Sequence, residues 1–326
     1  MLCEPKQWKM QKPSITIDLL ITEFLEYMEI EKGCSPLTVR AYRHYLERFY
    51  NWFSENSPTT KPEDINLDLT RRYRLYLAHL RNRNGAQLKH VSQNYHIVAL
   101  RSFLRYLLVQ RDILTLSPAK IELPKLGSRS INFLDPEQVE RLLSSPQISN
   151  KIGLRDKAIL EALFSTGLRV SELVRLNRDQ VDLKRQEFGV KGKGNKIRVV
   201  FLSDSAVQWI KRYLQSRQDH FKPLFIRYSG AVDTGRNGEK MRLTARSIQK
   251  IVIKYAKRCG LPIKVSPHTL RHSFATDLLI SGADIRSVQE MLGHENIGTT
   301  QIYTHVTNRH LKKVYMAYHS KGQKHR

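Results

Sequence analysis

The segment SPHTLRH, at residues 266–272, carries residues whose types and spacing suit phosphate chemistry. Ser266 is a favoured helix cap and Pro267 a favoured first helical residue, so a helix is predicted to begin here. His268 and Arg271 lie three residues apart and share a helix face. At a helix N-terminus, the arginine can bind two phosphate oxygens and the histidine can transfer a proton near neutral pH. The pattern predicts an anion site, although so short a pattern in isolation is more often a surface ion cluster.

Two further segments add reactive side chains. In TGLRVSEL, at residues 166–173, Arg169 begins a predicted short helix and Glu172 follows one turn later. An ordinary salt bridge between residues i and i+3 would explain that pair. The tripeptide LGH ends at His294, and Tyr303 follows nine residues later. A single tyrosine on a helix usually belongs to a core or an interface, so each segment is weak evidence alone.

The elements that must position these residues form a mixed second half of the chain. Glu187 to Gly192 and Lys196 to Leu202 are rich in Val, Ile and Phe and predict two strands. Lys193-Gly194-Asn195 between them predicts a hairpin turn. The predicted helices cover Asp135 to Ser145, Leu154 to Ser165 with Gly167 as its cap, Arg169 to Leu176, 204–217, 244–259, 267–280, 284–292 and a segment from about 298. Tyr228 to Lys240 predicts an exposed loop.

The first half of the chain reads as helices. Apolar residues recur at helical spacing from Ile15 to Lys32, after the start signal Ser35-Pro36, and over about 67–82 and 91–110. Four amphipathic helices in so short a segment predict a small bundle. Arg40 and Arg43 lie off the apolar side of the second helix and are candidate DNA contacts, although a solvated helix face explains them as well.

Composition narrows the class of protein. The chain has 326 residues and a formal net charge of +25, which favours a polyanionic partner such as nucleic acid. The apolar fraction of 40% suffices for packed cores. No apolar stretch is long enough for a membrane span, and a signal peptide is not expected. The three cysteines, Cys3, Cys34 and Cys259, form neither a disulfide framework nor a zinc motif and suit a reducing cytoplasm.

Taken in order, the motifs resemble those of the tyrosine recombinases. TGLRVSEL, the hairpin lysine in GKGNK, HTLRH, LGH and a tyrosine nine residues after that histidine match this family, and most closely the bacterial Xer-type enzymes and related mobile-element integrases. The resemblance covers about residues 15–318. It implies a mainly α fold with a small antiparallel β-hairpin, a four-helix core-binding (SAM-like) DNA-binding domain at 14–113, a linker at 114–130, a catalytic domain with a C-terminal exchange helix at 131–319, and a basic tail at 320–326.

The resemblance also implies a role for each motif residue. Tyr303 is the nucleophile that forms a 3′-phosphotyrosyl bond. Lys193 is the general acid for the leaving 5′-oxygen. Glu172 supports the site from behind. The groups that bind the scissile phosphate are Arg169, Arg271, His268 and His294, with His268 the better candidate for proton transfer with the tyrosine.

The residue chemistry is compatible with those roles. A tyrosine has a pKa near 10 and needs a base or a positive field to attack. Arginine, histidine and lysine side chains supply that field and stabilise the transition state. No paired-carboxylate metal motif and no G-x-x-x-x-G-K-[ST] loop is apparent, so we expect neither a metal ion nor another cofactor.

The resulting expectation is a cytoplasmic, nucleoid-associated recombinase. Its partner is double-stranded DNA at a specific site, bound by a homotetramer or by a heterotetramer with a second recombinase. Resolution of chromosome or plasmid dimers and integration by a mobile element both fit. Two other classes stay open: a type IB topoisomerase, which shares the chemistry, and a non-catalytic DNA-binding regulator of the same fold.

Overall fold

A computed structural model describes residues 16–57, 59–82, 84–124, 132–192, 197–232 and 235–293. The chain divides into two units, residues 1–128 and 129–326. The described part is mainly helical, with one two-stranded antiparallel sheet, as the sequence predicts. None of its helices is both long and apolar enough to cross a membrane.

The first unit contains a four-helix bundle. Its helices are α1 (Ile17–Ile30), α2 (Pro36–Asn56), α3 (Leu67–His79) and α4 (His90–Gln110). The predicted start of α2 is formed locally, because the Ser35 side chain accepts a hydrogen bond from the Thr38 amide. The apolar faces meet in one core centred on residues such as Leu20, Phe53, Tyr73 and Phe103.

The arginines of α2 separate into two groups. Arg40 and Arg43 are exposed, and neither forms an ion pair within the described residues. Arg48 is instead half-buried, and its Nη1 atom lies 3.3 Å from the Nε2 atom of His96. Burial, with Arg48 and His44 adding to it, lowers the pKa of His96 to about 4. His96 is therefore a neutral core residue that accepts a hydrogen bond from Arg48.

The second unit surrounds one long buried helix, α6. Its helices are α5 (Pro136–Ser144), α6 (Lys151–Thr166), α7 (Val170–Leu173), α8 (Asp204–Gln215), α9 (Ala245–Arg258), α10 (Pro267–Ile280) and α11 (Ile285–Leu292). Helix α6 packs against α8 and α10 and is buried on nearly all sides. It begins at Lys151 rather than at Leu154, because the Asn150 side chain accepts a hydrogen bond from the Gly153 amide.

The predicted hairpin is present. Strand β1 (Glu187–Lys191) pairs with β2 (Ile197–Phe201) in antiparallel register, with Lys191 opposite Ile197. The predicted exposed loop leads into a 3₁₀ segment at Arg236–Met241, which is interrupted by left-handed φ angles at Asn237 and Gly238. The hairpin turn at 193–196 and the predicted helix from about 298 lie outside the described residues.

Candidate active site

The site begins at a sharp corner between α6 and α7. Helix α6 ends at Gly167, whose φ of +58° is left-handed and therefore favours glycine. A Cβ atom there would lie 2.4 Å from the ring of Phe274 on α10. Glycine thus permits both the turn and the close approach of α10. The corner places Arg169 at the first position before α7.

Glu172 fixes the orientation of Arg169. The Arg169 amide donates to Oε2 of Glu172 at 2.8 Å, and its Nη1 donates to Oε1 at 2.9 Å. Burial alone would raise the pKa of Glu172, but hydrogen bonds from Arg198 and Arg169 outweigh it and lower the pKa to about 2. The carboxylate is therefore ionised throughout the physiological range and holds Arg169 from behind.

Helix α10 supplies His268 and Arg271. Its start follows the sequence signal, because the Ser266 side chain accepts a hydrogen bond from the Thr269 amide and Pro267 occupies the first turn. Arg271 is only 4% exposed. Its Nη1 donates to the carbonyl oxygen of Gly167 and its Nη2 to that of Leu292, both at 2.6 Å. Arg271 therefore links the α6 corner to the end of α11.

The carboxyl end of α11 is where three arginines meet. The helix ends at Gly293, with a left-handed φ of +64°. Carbonyl oxygens at the end of a helix lack internal partners and carry partial negative charge. Three successive carbonyl oxygens accept hydrogen bonds from arginines of three different elements. The Met291 oxygen accepts from Arg198 at 3.1 Å, the Leu292 oxygen from Arg271 at 2.6 Å, and the Gly293 oxygen from Arg169 at 3.1 Å.

Two histidines of α10 lie in this positive field. Reduced hydration, with the charges of Arg271 and Arg169 adding to it, lowers the pKa of His268. Burial and the same kind of neighbours lower the pKa of His272 to about 4. His268 is exposed and His272 is half-buried. The lowered pKa values favour the neutral form of both rings at pH 7, so the exposed ring of His268 can accept a proton there.

Arg198 is a member of this cluster that the motifs did not single out. It lies on β2, and its side chain is 12% exposed. Strand alternation offered a signal, because Arg198 shares the inward face of β2 with the buried Val200, an unusual place for a charge. Ile197, Val199 and Phe201 point to the opposite, exposed face.

Within the described residues, the structure thus brings Arg169, Glu172, His268 and Arg271 together. Lys193, His294 and Tyr303 lie outside those residues, although His294 directly follows Gly293 in the chain. Among the described residues no group of three or more His, Cys, Asp and Glu side chains is arranged to hold a metal ion. Three guanidinium groups and one carboxylate leave a net positive site.

Guanidinium groups beside a histidine, on a chain of charge +25, suit phosphoryl transfer on nucleic acid. The profile of the phage integrase family matches residues 132–310. That of the phage integrase N-terminal SAM-like domain matches residues 21–111. The chain belongs to the phage integrase family of tyrosine recombinases, as its motifs suggested.

Curated relatives resemble the whole chain. The tyrosine recombinase XerD of Lacticaseibacillus casei is 39% identical over 303 residues, which cover 93% of this chain and 99% of the relative. The tyrosine recombinase XerC of Pelotomaculum thermopropionicum is 37% identical over 309 residues, which cover 93% and 98%. The chain is accordingly a site-specific DNA recombinase and a DNA strand transferase. Nothing in these matches favours a topoisomerase or a non-catalytic regulator.

Solved structures share the fold. The XerH site-specific recombinase, bound to its palindromic difH substrate after cleavage, gives a TM-score of 0.68 at 22% identity, with 92% of this chain and 85% of that chain covered. The integrase of transposon Tn1549, in complex with transposon right-end DNA, gives a TM-score of 0.66 at 20% identity, with 92% and 99% covered. At these identities the likeness concerns the fold.

Proposed function

We propose that Arg169 and Arg271 bind the non-bridging oxygens of the scissile phosphate while Tyr303 attacks the phosphorus. The observation that supports this is the meeting of both guanidinium groups on neighbouring carbonyl oxygens of α11, beside the exposed ring of His268. His268 accepts the phenolic proton as the bond from the tyrosine oxygen to phosphorus forms. Lys193 donates a proton to the 5′-oxygen as its bond to phosphorus breaks. His294 donates a hydrogen bond to the phosphate.

The covalent intermediate distinguishes strand transfer from hydrolysis. The phosphotyrosyl bond replaces one phosphodiester with another, so the bond energy is retained and rejoining needs no ATP. The charge that builds up on the phosphate oxygens is balanced by guanidinium groups already held in place, which costs no reorganisation during the reaction.

The test of the nucleophile is Tyr303→Phe, which removes a single hydroxyl. We expect the variant to bind its DNA half-site normally and to form no covalent complex on a nicked suicide substrate. Tyr315→Phe, in the same segment, is the matched control and should react like the wild type. Covalent complex from the Tyr303 variant would move the nucleophile to another tyrosine, such as Tyr315 or Tyr318.

For the DNA partner, we propose that the exposed side of α2 contacts the duplex through Arg40 and Arg43. Both side chains are exposed and form no ion pair within the described residues, so they are available to phosphates or bases. Replacing both by Gln should weaken half-site binding and reduce the slope of log K against log salt by about one for each phosphate that is no longer neutralised. An unchanged slope would show that these residues do not bind DNA phosphates.

We propose a homotetramer on DNA, or a heterotetramer with a second recombinase, acting in the cytoplasm at the nucleoid. Two of four subunits must cleave at a time, because simultaneous cleavage by all four would leave double-strand breaks. The amphipathic segment Thr307 to His319 follows Tyr303 closely and suits docking on a neighbouring subunit. Deleting residues from Asn308 onward should spare half-site binding and sharply reduce synapsis and strand exchange in gel-shift and recombination assays. Normal recombination would refute the docking.

We propose dimer resolution, with a role in chromosome partition, as the biological function; the similarity to tyrosine recombinases named XerD and XerC supports the Xer type of recombination. Integration or excision of a mobile element is the alternative, supported in fold alone by the transposon integrase. A plasmid with two directly repeated copies of a candidate site separates them. Resolution at a chromosomal site would support the first function, and resolution only at the ends of an element flanking the gene would support the second.

A further inference from the structure

Arg198 bonds to Glu172, which also holds Arg169, and to the end of α11, where Arg169 bonds as well. Its Nη1 and Nη2 donate to Oε1 and Oε2 of Glu172 at 3.0 and 2.8 Å, a two-pronged pairing of guanidinium and carboxylate. Its Nε donates to the carbonyl oxygen of Met291 at 3.1 Å. All three nitrogens are thus engaged, and the side chain has little freedom to rotate.

Glu172 is shared by Arg198 and Arg169. Each carboxylate oxygen accepts one bond from Arg198 and one from Arg169, so the carboxylate lies between two arginines. On its other side, Arg169 donates to the carbonyl oxygen of Gly293, two residues beyond the Met291 oxygen that Arg198 binds. Arg198 and Arg169 are therefore connected twice, through Glu172 and through the end of α11.

The stem of Arg198 is fitted to this place as well. A Cβ atom added at Gly293 would lie 3.0 Å from the Cδ atom of Arg198, so the side chain passes close to the main chain at the end of α11. Arg169, in contrast, is 32% exposed, and its two side-chain bonds to Glu172 and Gly293 engage two of its five N–H donors. Arg198 faces inward and binds Glu172 and the end of α11, whereas Arg169 retains N–H donors for a ligand.

We propose that Arg198 is a positioning residue for DNA cleavage, which acts through Glu172 and Met291 to direct the Arg169 guanidinium at the scissile phosphate. This rests on the proposed function, in which Arg169 binds that phosphate. Arg198 itself does not contact the substrate. A residue that merely stabilised the hairpin would affect folding and leave the chemical step of the folded protein unchanged.

The test compares cleavage of two nicked suicide substrates by Arg198→Ala and Arg198→Lys. One substrate has a normal scissile phosphate, and the other has a methylphosphonate there, in which a methyl group replaces a non-bridging oxygen and removes the negative charge. On the phosphate, single-turnover formation of covalent complex should fall roughly 10- to 100-fold, as expected for a small misplacement of a catalytic group. Half-site affinity should change by less than about threefold, since a residue that does not contact the substrate adds little to binding.

The methylphosphonate gives the decisive readout. The methylphosphonate carries no charge for Arg169 to neutralise. On this substrate the rates of covalent-complex formation by wild type and Arg198→Ala should therefore differ by no more than about threefold, and the same should hold for wild type and Arg169→Ala. Arg198→Lys keeps the charge but lacks the two-pronged geometry. Compared with Arg198→Ala, it should therefore recover more of the stability than of the cleavage rate. Combining Arg198→Ala with Glu172→Gln should be no slower than the slower single variant, because both act on Arg169.

The matched control is Arg217→Lys. Arg217 is also buried and donates to main-chain oxygens, those of Pro223 and Leu224, and it bonds to no residue of the site. It should lose stability and cleave normally. Equal slowing of Arg198→Ala on both substrates, or additive effects with Glu172→Gln, would overturn the inference. Failure of the proposed function would look different, because Arg169→Ala would then cleave like the wild type.

Discussion

Replacing Glu172 by Gln removes the carboxylate that Arg169 and Arg198 share. The pKa of Glu172 falls from 4.5 to about 2 on folding. A group whose pKa is lowered by folding stabilises the protein above its unfolded pKa, and this stability is lost as the pH falls from about 4.5 towards 2. The depression corresponds to about 3 kcal/mol at pH 7, and less than half of this remains at pH 3. Glutamine does not titrate and lacks this contribution.

The assay is urea unfolding followed by the fluorescence of Trp209. This residue lies on α8 in the second unit, with the Lys157 ammonium 5.0 Å from its ring centroid, so it reports on the unit that contains Glu172. Trp8 and Trp52 are replaced by Phe in all variants to leave one reporter. The free energy of unfolding is measured from pH 7 to pH 3 for both proteins.

The matched control is Glu140→Gln, an exposed carboxylate on α5 of the same unit. Its free energy of unfolding should change by less than about 0.5 kcal/mol. The Glu172 variant should be less stable than the parent by about 3 kcal/mol at pH 7, with the difference narrowing towards pH 3. A difference below about 1 kcal/mol at pH 7, or one that does not vary with pH, would refute the proposed ion-pair network.

Three further predictions concern the same unit. Gly167→Ala should destabilise the protein by about 2–4 kcal/mol in the urea assay, because a left-handed φ and the nearby ring of Phe274 both oppose a Cβ atom. The control Gly260→Ala, at a φ of +61° with open space around it, should destabilise the protein by only about 1 kcal/mol. Equal destabilisation by the two substitutions would contradict the role of the Phe274 contact. Covalent-complex formation should survive EDTA, and a loss restored by magnesium would refute the metal-free mechanism. In the pH profile of the cleavage rate at subsaturating DNA, the midpoint of the acid limb should lie below pH 6.5, because the pKa of His268 is lowered. A midpoint above pH 6.5, or an acid limb that is unchanged in His268→Gln, would exclude His268 as the base.

Local signals made most of the fold predictable. Ser35-Pro36 and Ser266-Pro267 start helices where expected, and Gly167 ends α6. The predicted start of α6 at Leu154 is wrong by three residues, because the Asn150 side chain caps the helix and the first turn therefore begins at Lys151. Such signals lie within four residues of the structure they determine, which is why a single sequence reveals them.

The candidate site was predictable only in part. The resemblance and the motif spacing identified Arg169, Glu172, His268 and Arg271. Arg198 was missed because its partners are far away in sequence, Glu172 by 26 residues and Met291 by 93. Main-chain oxygens as partners leave no trace in residue types, so the role of the α11 end could not be inferred without the fold.

The arginines at the end of α11 bind oxygens that every amino acid possesses. Point substitutions at Met291 therefore leave the acceptor itself untouched, and evolution is free to vary the side chain as long as the helix persists. A deletion inside residues 284–293 is different, because one residue fewer rotates the end of a helix by about 100° and shortens it by about 1.5 Å. The arginine cluster thus tolerates amino-acid substitutions in α11 but not a change in the length of the helix. A mutational scan of α11 should find single-residue deletions far more damaging than substitutions.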